Sequence, residues 1–97
     1  MQNLFHVITK VEKERRRRIM VLVWSYAYEY ESVSLVSDAV FDAECKLVDK
    51  TIDTGRPDLD DWFRREFEPF TGSWIGDFPE LEKIRNLYYR WFKKGAK

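Results

Sequence analysis

Residues 26–52 read Y-A-Y-E-Y-E-S-V-S-L-V-S-D-A-V-F-D-A-E-C-K-L-V-D-K-T-I, and the break in their middle organises the whole chain. Residues 31–36 carry two serines and no period, so they read as a connector. Ser37 is placed to cap a helix, because a serine hydroxyl accepts from the free N–H groups of a first turn. Asp38, directly inside, is favoured by the positive end of the helix dipole. Phe41, Cys45, Val48 and Ile52 then form one apolar stripe, with Asp38, Asp42 and Asp49 as an acidic ridge beside it.

Towards the N-terminus, Leu4, Ile8, Val11, Ile19, Leu22 and Tyr26 recur at steps of three, four or their multiples, with Arg15 where an apolar residue is due. That spacing predicts one long helix, although the β-branched and aromatic residues of 19–30 would equally suit a strand. A helix from Gln2 to Tyr30 would be about 43 Å long, against ~26 Å for the diameter of a domain this size. It must either kink near Arg15–Arg18 or cover Leu4, Phe5, Ile8 and Val11 with a second molecule, so a homodimer through this helix is expected. The run Arg15-Arg16-Arg17-Arg18 points in four directions on a helix and reads as a solvated face.

Towards the C-terminus, Gly55 and Pro57 close the second helix, and Asp58 is the expected cap of a third, with Leu59, Trp62, Phe63 and Phe67 on one face. Pro69 ends it. Thr71–Gly76, T-G-S-W-I-G, reads as a turn that plants Trp74 and Ile75 in the core or at a contact. Asp77 and Glu80 have capping-box spacing before a last helix, with Leu81, Ile84, Tyr88 and Trp91 on its stripe and Lys93 and Lys94 at its end. The fold class expected is all-α, a single domain over residues 1–97 with about four helices, the first of them long.

Composition bounds the function. Seventeen basic and seventeen acidic residues cancel, which removes the simple case for direct nucleic-acid binding through net charge. The charge is segregated, however: residues 1–30 carry +3, residues 31–61 carry −6 and residues 62–97 carry +3. Cys45 is the only cysteine, so no intrachain disulfide forms, and a reducing cytoplasm is the expected compartment. His6 is the only histidine, and it has no metal-ligand spacing to Cys45. The apolar run 19–24 is far shorter than the roughly 18 residues of a membrane span, so no membrane segment is expected.

Tyr28, Asp38, Phe41 and Asp42 are spaced as in the Y-H-x-x-x-x-P-x-x-x-D-x-x-Y-D pattern of the small N-terminal subdomain of NAD-dependent DNA ligases, and residues 20–52 resemble that subdomain. The segments S-D-A-V-F-D and F-E-P-F-T-G-S-W-I-G-D-F-P-E resemble the small, often phage-encoded ligase-related proteins that keep the subdomain without the enzyme. The resemblance implies that residues 19–30 are helical. It implies further that Tyr28 stacks on a nicotinamide ring, and that Asp38 and Asp42 fix the nucleotide. Two positions depart from the family: Glu29 stands in place of its histidine, and Phe41 in place of its tyrosine.

Catalysis is not expected, because none of the lysines lies in the K-x-D-G context that accepts the adenylyl group. The expected function is a non-catalytic viral accessory or inhibitor that engages a host or phage protein, such as a host ligase or a nucleic-acid-handling defence enzyme. Its contact surface would be aromatic and acidic, through Asp49, Asp53, Asp58, Asp60 and Asp61, and no cofactor would be needed. The alternative is a vestigial site for NAD or nicotinamide mononucleotide at Tyr28, Glu29, Asp38, Phe41 and Asp42. There the Glu29 carboxylate would repel a phosphate, and the hydroxyl missing at Phe41 would remove a contact, leaving millimolar affinity at best.

Overall fold

Thr9 has an extended backbone and its hydroxyl accepts the Glu12 N–H at 3.0 Å, so a helix begins at Lys10 and not at Gln2. The computed structural model describes residues 9–69 and 71–92. Among them are four helices and no strand: α1 (Lys10–Glu31), α2 (Asp38–Leu47), α3 (Pro57–Glu66) and α4 (Leu81–Phe92), with a 3₁₀ turn at Ser73–Asp77 between the last two. The expected all-α class holds. Leu4, Phe5, His6 and Ile8 of the expected overhang lie outside the described residues, as do Lys93 and Lys94.

Residues 19–30 are helical, and α1 passes Arg15–Arg18 without a break. It ends where Ser32 takes a left-handed backbone (φ 58°) and the Val33 N–H returns to the Ala27 carbonyl at 3.0 Å. Ser37 caps α2 as expected, accepting the Val40 N–H at 3.2 Å. That helix is shorter than its apolar spacing predicts, because the chain turns at Asp49, whose carboxylate takes the N–H and hydroxyl of Thr51. Asp58 is not a cap: Arg56 occupies that position and Pro57 is the first helical residue. The expected capping box before α4 is also absent, since Asp77 ends the 3₁₀ turn and the Glu80 carboxylate accepts from Arg56 at 2.7 Å.

The core lies where α1 meets α4, α2 and the 3₁₀ turn. It is aromatic, as the composition predicts. Trp62, Phe63, Phe67, Trp74 and Phe78 are all buried, and Trp62 meets Phe78 edge-to-face at 5.0 Å between ring centres. Trp74 and Ile75 are planted inside by the 3₁₀ turn. Trp91, expected on the buried stripe of α4, is instead 44% exposed.

Of the apolar stripe of α1, Leu22 and Tyr26 are buried in the core while Ile19 is exposed, and beside it α1 buries a second stripe that is polar. Glu14 and Arg18 are 1% and 5% exposed and continue through Val21 to Ser25 at helical spacing. The Arg18 guanidinium donates to Glu14 at 2.9 Å, to Asp60 of α3 at 2.8 Å and to the Asp49 and Ile52 carbonyls at 2.7 and 3.3 Å. Its flat face lies 4.9 Å from the centre of the Phe63 ring. Asp60 also accepts the N–H and the hydroxyl of Thr54, at 2.9 and 2.6 Å. Arg15 donates to the Thr54 carbonyl at 2.8 and 2.6 Å, and Arg17 bridges Glu14 and Glu44. The arginine run is therefore not a solvated face. Three of its four members tie α1 to α2, α3 and the loop between them, and only Arg16 keeps to solvent.

Removing Arg18 leaves the buried Asp60 without its cation and Glu14 with Arg17 alone, and breaking such a buried pair costs about 3–5 kcal/mol. Urea unfolding of Arg18→Met is expected to show a loss of that size, whereas Arg16→Ala should stay within about 0.5 kcal/mol of the parent. Equal effects of the two would contradict the clamp. Burial pushes the Asp60 carboxyl up, but the Thr54 hydroxyl and N–H and the Arg18 charge outweigh it, holding Asp60 below the ordinary 3.8. Its stabilising contribution is then complete above the unfolded value and is lost as pH falls through the lower folded one. Chemical denaturation should show stability declining below pH 3.8, with a shallower acid slope in Asp60→Asn. An unchanged slope would contradict it.

Candidate functional site

Beyond Val21, α1 turns a second face outward, carrying Trp24, Ser25, Tyr28 and Glu29 at spacings of one, three and four. The left-handed Ser32 reverses the chain, so that Ser34, Leu35 and Val36 come back past this face and deliver α2 beside it. Asp38, Phe41 and Asp42 then fall on one side of the first turns of α2. Thr71 and Gly72 close the opposite wall. Together these twelve residues enclose a cleft of about 310 Å³.

Tyr28, Glu29, Asp38, Phe41 and Asp42, the five positions singled out in the sequence, all line this one cleft. Tyr28 is 60% exposed, so its ring is not part of the core. Among the described residues, no ion pair or hydrogen bond engages the carboxylates of Glu29, Asp38 or Asp42. No lysine or arginine among the described residues lines the cleft. Its described walls are thus aromatic and acidic.

Sequence reading missed Trp24, Ser25, Thr71 and Gly72. Ser25 is 1% exposed and its Oγ has no hydrogen-bond partner, although it borders the cleft. The oxygen itself is sealed from solvent against Gly72, and the Nε1 of Trp62 in the core is orphaned in the same way, so the missing bond does not by itself mark a ligand contact. Gly72 permits this wall: a Cβ there would lie 3.0 Å from the Ser25 Oγ and 3.2 Å from its Cβ. The T-G-S-W-I-G turn advertised that glycine, but nothing local connected it to Ser25, 47 positions earlier.

The five aspartates expected to form an acidic contact surface lie away from the cleft, and each is engaged within the chain. Asp60 is 2% exposed and bound to Arg18 and Thr54, which corrects its expected place on a surface. Asp49 shapes the turn after α2, and its bonds to Thr51 hold its carboxyl below the usual range. Asp53 pairs with Arg64 at 3.0 Å, Asp58 with Arg56 at 3.1 Å and Asp61 with Arg65 at 3.1 Å. No ridge of unpaired carboxylates runs along this side of the described chain.

Cys45 is buried in the core at 2% exposure, as a packing residue would be. No group of three or more potential metal ligands comes together among the described residues. No described helix is long and apolar enough to cross a membrane. Compared with known family models, curated proteins and solved structures, the chain matches none.

Proposed function

We propose that this chain is a non-catalytic binding module whose cleft takes the nicotinamide end of a nucleotide or nucleoside. The observation that carries this is the meeting of Tyr28, Asp38 and Asp42, with Glu29 and Phe41, around one cavity. An exposed tyrosine ring offers a stacking surface, and the aspartates offer acceptors for a carboxamide N–H₂ or ribose hydroxyls. A volume of about 310 Å³ sits at the lower end of small-molecule sites, enough for a ring with its sugar and not for a whole dinucleotide.

Contact with a host or phage protein is the second reading, and a different surface favours it. A groove of about 260 Å³ between α1, α3 and α4 is lined by Ile19, Leu22, Leu59, Phe63, Ile84 and Leu87, with Arg15, Arg56 and Lys83 among its polar neighbours. Such a surface suits an apolar peptide segment. The paired aspartates supply less of an acidic face than the sequence promised.

Calorimetric or NMR titration with NAD, nicotinamide mononucleotide, nicotinamide riboside and 1-methylnicotinamide tests the first reading. Saturable binding of at least one, weakened about tenfold or more by both Tyr28→Ala and Asp38→Ala in folded protein, is the expected result. Silence from all four would remove the nicotinamide reading and leave protein contact in its place.

A further inference from the structure

The charge around the cleft narrows the ligand further, and this inference rests on the nicotinamide reading just given. Glu29, Asp38 and Asp42 bring three carboxylates to one cavity, and no basic residue among the described ones lines it. Elsewhere Asp53, Asp58, Asp60 and Asp61 each face an arginine within 3.1 Å. The aromatic rings of Trp24, Tyr28 and Phe41 share its lining.

Unpaired carboxylates beside aromatic faces form an environment for a cation, because both the negative charge and the ring quadrupole attract it. A metal ion is the poorer occupant, since the three carboxylates do not converge as a ligand set. A flat organic cation fits better, because its delocalised charge tolerates the aromatic walls. Phosphate is disfavoured on the same grounds. An anion entering this cleft meets three like charges, and no lysine or arginine among the described residues lines it to offset them.

We propose that the cleft selects an N-substituted pyridinium cation bearing no phosphate, so that a pyridinium nucleoside binds in preference to its 5′-phosphate or to a dinucleotide. Glu29 is the residue that sets this preference. It stands next to Tyr28 on α1, beside the ring-stacking position.

The test compares four probes on the folded full chain. Nicotinamide riboside is expected to bind about tenfold or more tightly than nicotinamide mononucleotide, and 1-methylnicotinamide about tenfold more tightly than neutral nicotinamide. Raising the salt concentration should weaken the two cations and not the neutral ring. Glu29→Gln should narrow the gap between riboside and phosphate several-fold. Thermal unfolding of Glu29→Gln should match the parent, because this exposed carboxylate has no partner to lose. Mononucleotide binding as tightly as the riboside, or neutral nicotinamide as tightly as its methylated cation, would overturn the selectivity while leaving the nicotinamide site standing. Failure of all four probes to bind would overturn both.

Discussion

The Arg18 guanidinium is the hub on which the arrangement of helices depends. One planar cation reaches Glu14 on its own helix, Asp60 on α3 and two carbonyls of the intervening loop, while its face covers Phe63. Arginine suits the place because its five donors are fixed in a plane and it stays charged when buried. Such a network need not add much net stability, since taking the ions out of water offsets most of their attraction. What it supplies is position. Four of its five N–H bonds have an acceptor in reach, so α1 cannot slide or rotate against α3 without leaving a buried charge unpaired. Val21, Leu22 and Val23, immediately after Arg18, then enter the core in a fixed register.

That register determines which residues of α1 remain for the cleft. Glu14, Arg18, Val21 and Ser25 face inward, and Tyr28 and Glu29, one turn beyond Ser25 at the same spacing, emerge where the core ends and line the cleft, with Ser25 on the boundary between the two. The αL residue at Ser32 and the cap at Ser37 set how α2 approaches. The clamp and the cleft thus occupy opposite ends of the same helix.

Much of the fold is legible in the sequence because it follows local chemistry. The Ser37 cap, the turn that buries Trp74 and Ile75, and the α4 stripe through Ile84 and Tyr88 all come from short-range patterns. The misreadings have a common cause. A charged residue in a helical pattern reads as a surface residue, so Arg18 reads as one of a solvated run and Glu14, also on a buried stripe of α1, gives no signal. Their partners Asp60 and Thr54 lie far along the chain, where no local rule links them. The α2 boundary failed differently, because the Asx turn at Asp49 overrode an apolar spacing that continued to Ile52. Within the cleft, residues of the 28–42 stretch could be grouped from their spacing and family resemblance. Ser25 and the Thr71–Gly72 wall required the tertiary packing.

Binding to the cleft should leave the clamp undisturbed, since the two lie on different faces and share no residue. Backbone amide mapping by two-dimensional NMR during a titration with 1-methylnicotinamide measures this directly. Progressive shifts confined to Ser25, Tyr28, Glu29, Asp38, Asp42 and Gly72, with Glu14, Arg18, Thr54 and Asp60 unmoved, are the predicted result. Shifts centred on the α1, α3 and α4 groove, or no shifts at millimolar ligand, would contradict the assignment of the cleft as a nicotinamide site.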